Sequence, residues 1–136
     1  MALTATEFID VALWFPEVVE TEPFVPGIPV YKVAGKMFAL LDGSGTDAPA
    51  RVTLKCDPER ALVLRTTYSA VRPGYHMNKR HWNTIDLDGT VPDDELLDLV
   101  HHSYVRTVSG LRSADRDRIL ALLGDDRPPL PDTREP

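Results

Sequence analysis

The chain has 136 residues, of which 43% are hydrophobic and 26% charged, and a net charge of −6. Such a chain suits one globular domain that buries roughly two-thirds of its unfolded surface without disulfide or metal staples. Cys56 stands alone, which excludes an internal disulfide and a cysteine-rich zinc site. No apolar run approaches the roughly 20 residues of a membrane span, and the opening Met-Ala-Leu-Thr-Ala-Thr-Glu has no basic residue, so a soluble cytoplasmic protein is expected.

Thr4 and Glu7 form a capping box, and Phe8, Val11, Ala12 and Phe15 follow at helical spacing until Pro16 stops the run. A turn-rich stretch through Pro23, Pro26, Gly27 and Pro29 leads to two strands, Val30 to Val33 and Lys36 to Leu41, joined by Ala34-Gly35. A Gly-rich polar loop precedes Arg51 to Cys56, where Val52, Leu54 and Cys56 alternate with Arg51, Thr53 and Lys55. That period of two predicts a half-buried strand with two cations on its polar face.

Asp57 and Pro58 supply a cap and first-turn proline for a short helix to about Leu64. Trp82 to Leu87 alternates again, with Ile85 and Leu87 on one face and Trp82, Thr84 and Asp86 on the other. A long helix begins after Pro92 with three acids in its first turn and carries Leu96, Leu97, Val100, Tyr104, Val108 and Leu111 as its apolar stripe. A shorter helix spans Asp115 to Leu123, and the Pro-rich tail 124–136 has too few apolar residues to pack and is expected to be disordered. These elements imply one α+β domain over residues 1–123, a two-layer sandwich whose antiparallel sheet has helices on one face.

The charges are segregated along the chain. Residues 1–31 hold five acids and no base, residues 32–81 carry a net +5, and the remainder contributes −6. The basic middle ends in Pro73-Gly-Tyr-His-Met-Asn-Lys-Arg-His-Trp82, which concentrates cations, imidazoles, an amide and aromatics. Lys79 and Arg80 can pair with phosphate or carboxylate, Tyr75 and Trp82 offer faces for stacking, and Asn78, His76 and His81 can hydrogen-bond beside them.

Other chemistries find little support. There is no phosphate-loop motif, and Gly43-Ser-Gly45 is too short for a dinucleotide fingerprint, so no cofactor is expected. Adjacent His102 and Ser103 point about 100° apart on a helix and cannot form a base and nucleophile, so Ser103 is expected to be a surface serine and no enzyme is expected. The neighbouring His101 and His102 do not have chelating spacing, and a zinc or iron held by His76 and His81 would need a distant carboxylate, whereas metal sites normally show more ligands at tighter spacing, so no metal is expected.

The motif Pro73-Gly-Tyr-His-Met-Asn-Lys-Arg-His-Trp-Asn-Thr84, with Gly35-Lys-Met-Phe-Ala39, Leu54-Lys-Cys-Asp-Pro-Glu59 and Ser103-Tyr104, resembles the MmcQ/YjbR family of bacterial proteins from the first helix to about Leu111. The resemblance implies a fold similar to secretion chaperones and frataxin-like proteins, and DNA binding through a double-wing arrangement. By motif position it places Lys36 on one wing, Lys55 at the end of the next strand, and Asn78, Lys79, Arg80, His81 and Trp82 at the other edge. The expected partner is DNA, held by salt-dependent contacts, or alternatively a small anionic ligand at the same Lys, Arg, His and Asn cluster; no membrane is expected, and the oligomeric state is open.

Overall fold

A computed structural model describes residues 2–43, 48–74 and 77–131. Four helices, α1 (Ala5–Trp14), α2 (Pro58–Thr67), α3 (Asp93–Ser109) and α4 (Ser113–Leu123), accompany six strands. The strands are β1 (Val18–Thr21), β2 (Val30–Val33), β3 (Lys36–Asp42), β4 (Arg51–Lys55), β5 (Val71–Pro73) and β6 (Trp82–Asp86). They form one antiparallel sheet in the order β1-β2-β3-β4-β6-β5, giving the expected α+β class.

Local chemistry sets most boundaries. The Thr4 hydroxyl accepts from the Glu7 amide while the Glu7 carboxylate accepts from the Thr4 amide, so both ends of the capping box are closed at the start of α1. Asp57 caps α2 by accepting from the Arg60 amide at 3.0 Å. Ala34 (φ 48°) and Gly35 (φ 79°) both take left-handed backbone, which fits the twist of a two-residue hairpin. Two short strands escape the sequence pattern. β1 lies between Pro16 and Pro23, and β5 contains Pro73, a residue that reads as a strand breaker yet is tolerated on the sheet edge.

One sheet face contributes Tyr31, Val33, Ala39, Leu41, Val52, Leu54 and Ile85 to a core shared with all four helices. Ile85 and Leu87 therefore face the helices as expected, and Trp82, Thr84 and Asp86 stand on the other side. On that helix-free face the register aligns Thr21, Val30, Leu40, Thr53, Thr84 and Arg72 in one row across all six strands. Val30, Thr53, Thr84 and Trp82 are buried there, apart from the helix-side core, and the Thr53 and Thr84 hydroxyls hydrogen-bond at 3.0 Å.

The ladder is interrupted once, where a register shift between Tyr31 and Lys32 leaves Phe38 as an extra residue on β3. A bulge turns the chain locally, and Phe38 enters the core, edge-on to Tyr104 at 5.3 Å and to Phe15 at 6.1 Å. Ser103 is fully buried at this point. This corrects the expectation of a surface serine: its neighbours on the helical stripe face the bulge, and a small hydroxyl fits where the ladder opens.

Beyond α4, Arg127 pairs with Asp98 of α3 at 3.1 Å and Pro128 is buried. Residues 132–136 of the tail lie outside the described residues. Among the described residues no helix is long and apolar enough to cross a membrane.

Candidate nucleic-acid interface

The antiparallel register brings distant cations to one end of the sheet. The β2–β3 turn, the end of β4, the start of β6 and the end of β5 all lie there, because Val33 pairs with Lys36, Lys55 with Trp82 and Pro73 with Asn83. Lys36, Lys55 and residues 78–82 thus share one end of the sheet. They do not all share one face. Lys55 stands with Trp82 on the helix-free side, whereas Lys36 pairs with the core residue Val33 and belongs to the helix side of the hairpin tip.

Ion pairing divides the basic residues by position. Arg51, Arg60, Arg72, Arg106, Arg116, Arg118 and Arg127 all form ion pairs with carboxylates. Among the described residues, Lys32, Lys36, Lys55, Lys79 and Arg80 form none and lie toward this end of the sheet; Arg65, engaged with Asn83 and the loop carbonyls, and Arg112, ahead of α4, form none either. Lys32 has no motif to single it out; alternation along β2 places it with Val30 on the Lys55 face, and the bulged register sets Met37 opposite it.

The loop before β6 is built largely by its own polar groups. The Asn78 side-chain oxygen accepts from the Arg80 amide at 2.9 Å, the Lys79 ammonium donates to the Gly74 carbonyl at 3.2 Å, and the Gly74 amide donates to the Trp82 carbonyl at 2.8 Å. Asn78 therefore has a turn-forming duty. Lys79 and Arg80 are both exposed on this turn, the Lys79 ammonium lying back on the Gly74 carbonyl with two donors left over for a ligand. Tyr75 and His76 lie outside the described residues.

Trp82 is 9% exposed, so its ring serves mainly to pack the helix-free face and leaves too little surface for stacking a base. His81 continues the β4–β6 pairing through its carbonyl, which accepts from the Cys56 amide at 2.8 Å. Its Nδ1 is buried with no hydrogen-bond partner among the described residues. Cys56 is itself buried, and that burial raises its thiol pKa, as expected of a packing residue.

Three residues that hold the loop or the neighbouring start of α2 carry no local sequence signal. Arg65 on α2 donates to the Asn83 side-chain oxygen at 2.7 Å and also to the Lys79 and Trp82 carbonyls. Asn83 is 1% exposed and donates in turn to the Ala61 carbonyl at 3.3 Å. His102 accepts the Asp57 amide hydrogen at 3.0 Å, while burial, with Arg60 and Arg106 nearby, depresses its pKa. Each contact joins residues that are 14 to 45 positions apart, beyond the reach of any spacing rule.

Among the described residues no group of three or more His, Cys, Asp or Glu is placed to hold a metal. The adjacent Ser103 and His102 are each engaged with backbone. Ser103 accepts from the Lys55 amide and donates to the Phe38 carbonyl, so neither side chain is aimed at the other as nucleophile and base.

Comparison with known proteins agrees with this architecture. Residues 13–106 match the YjbR family model. The chain is 35% identical over 108 residues to the uncharacterized protein YbdF of Escherichia coli O157:H7, covering 79% of this chain and 87% of that one. It is 41% identical over 91 residues to the uncharacterized protein YjbR of Escherichia coli K12, covering 67% and 75% respectively. The crystal structure of Deinococcus radiodurans protein DR2400, with domain DUF419, superposes with a TM-score of 0.79 at 38% identity, covering 87% of this chain and 88% of that one. A Pseudomonas syringae protein superposes with a TM-score of 0.67 at 28% identity, covering 76% of this chain and 98% of that one.

Proposed function

This chain belongs to the YjbR family, and on that premise we propose that it is a non-catalytic nucleic-acid-binding protein that grips phosphates at the cationic end of its sheet. The observation that carries the reading is the segregation of the cations. Lys32, Lys36, Lys55, Lys79 and Arg80 gather toward one end of the sheet without a carboxylate partner among the described residues, and so are left for an external anion. Phosphate contacts of this kind position a protein on the backbone without reading sequence. The two faces of the hairpin tip would then straddle a strand, with Lys36 on one side and Lys32 and Lys55 on the other.

The net charge of −6 limits affinity, because the acidic remainder of the protein repels the same polymer. Binding should therefore be modest and steeply dependent on salt. Fluorescence anisotropy with single-stranded and duplex DNA at two ionic strengths tests this. Five phosphate contacts predict a log–log salt slope of about −3.5 on single strands to about −4.5 on duplex. Absence of binding at low salt, or binding indifferent to salt, rejects the proposal.

A second reading is favoured by the buried, unpartnered His81 Nδ1, which could serve a small carboxylate or phosphate held beside the same cations. It predicts stabilisation by a low-molecular-weight anion in a thermal-shift screen and no response to DNA.

A further inference from the structure

Strand β1 closes one side of the sheet and, among the described residues, pairs only with β2. Alternate backbone N–H and C=O groups of Val18–Thr21 therefore point outward, where an extended chain can add to the sheet. Natural edges are commonly blunted by lysine, proline or a bulge. This one, Val-Val-Glu-Thr, has no lysine, proline or bulge; it is short and carries the single charge of Glu20, and its pairing with β2 is regular over all four residues.

Apolar surface surrounds the edge. Val19 is 57% exposed on the helix-free side, and Phe24 and Val25 of the following loop are 66% and 51% exposed. The loop is held in shape: the Ile28 amide donates to the Val25 carbonyl at 3.2 Å, and the Gly27 amide, at a φ of 89°, donates to the Glu22 carboxylate. Phe24 and Val25 are thus presented outward by a formed turn.

The charge around the edge specifies the occupant. Glu20 on the strand and Glu22 just beyond it are exposed, and residues 1–31 include no lysine or arginine. A second copy pairing through its own β1 would bring these acids together, and like charges across a strand pair are unfavourable. We infer that the β1 edge is a docking site for an extended, basic segment of another protein, in which Lys or Arg alternates with apolar residues. Its backbone would extend the sheet, its apolar residues would cover Val19 and Phe24, and its cations would meet Glu20 and Glu22.

The test is a titration of the isotope-labelled full chain with a synthetic peptide of alternating valine and lysine, followed by NMR. Expected are shifts confined to β1 and the 22–28 loop, slowed hydrogen exchange of outward β1 amides, and no effect from an alternating valine–glutamate peptide. Val19→Lys, on an exposed side chain, should weaken binding about tenfold, equivalent to about 1.4 kcal/mol, with the thermal midpoint unchanged. The inference is overturned if neither peptide binds, if both bind equally, if the shifts map elsewhere, or if the chain alone dimerises through β1. DNA binding at the cationic end is read separately, so either proposal can fail without the other.

Discussion

The Ser103 hydroxyl donates to the Phe38 carbonyl at 2.5 Å and accepts the Lys55 amide hydrogen at 2.8 Å, so a helix side chain stands in for a missing rung between β3 and β4. The bulge that turns Phe38 into the core separates two backbone groups that would otherwise pair, and α3 closes the gap with one atom. The contact also locks the backbone of Lys55, one of the proposed phosphate ligands.

Ser103→Ala leaves a buried amide and a buried carbonyl unsatisfied. A loss of about 1–3 kcal/mol is expected, well above that of an exposed serine. Urea denaturation measures the loss, and hydrogen exchange at the Lys55 amide locates it. An effect within about 0.5 kcal/mol, as at ordinary surface positions, contradicts the bridging role.

Arg65 gathers the Asn83 side chain and the Lys79 and Trp82 carbonyls around one guanidinium. A lysine at this position keeps the charge, but its donors issue from one nitrogen and cannot reproduce the planar fork by which Nε and Nη2 reach separate acceptors. Arg65→Lys should therefore cost nearly as much as Arg65→Ala, about 1.5–3 kcal/mol for hydrogen bonds to a charged group. Both variants should also accelerate exchange at residues 77–82 and weaken DNA binding, although the proposal gives Arg65 no contact with DNA. Full recovery by lysine would mean that charge alone matters here.

The contrast between these residues and the rest of the chain shows where sequence reading works. The helix start at Thr4, the turn at Ala34-Gly35 and the alternation from Arg51 to Lys55 are determined by neighbours within a few residues, and all were legible. The cationic segment was also visible, yet its parts have different duties: Asn78 forms a turn and Trp82 packs, while Lys36 and Lys55 lie on opposite faces. Face assignment required the bulge at Phe38, which no local pattern announces. Ser103, Arg65 and Asn83 were hidden for a related reason, since their partners come from other elements of the fold.

Gly74 is required by proximity. A Cβ built there would lie 2.7 Å from the Trp82 Cβ and 3.0 Å from the Trp82 carbonyl oxygen, atoms that cannot rotate away. Gly74→Ala must push the loop off β6 and disturb the amide bond from Gly74 to Trp82. A loss of about 1–3 kcal/mol is expected, typical of overpacking. Denaturant titration checks the loss, and a drop in DNA affinity at fixed salt would link the loop's seating to phosphate contact.

His102 supplies the pH dependence. Its Nε2 accepts the Asp57 amide hydrogen, which requires a neutral ring, and burial followed by the nearby Arg60 and Arg106 holds its pKa below the ordinary value of about 6.5. Burial also depresses His101, with Arg127 adding to the effect and Asp98 opposing it. In the window between the depressed folded pKa and about 6.5, the unfolded chain binds more protons than the folded one, so stability rises with pH there. It is fully present above the unfolded value, falls as the solution is acidified through about pH 6.5, and levels off below the folded value. The carboxyl of Asp57 acts in a different range, because the Arg60 amide lowers its pKa and its contribution is lost only below about pH 4. Urea midpoints from about pH 5 to about pH 8 should show the first decline. His102→Gln, which keeps an acceptor but cannot titrate, should flatten much of the decline and leave the contribution of His101. His102→Ala should lower stability even at the alkaline end, since the Asp57 amide then loses its acceptor. If the glutamine variant retains the full wild-type decline, His102 is not the group that produces it.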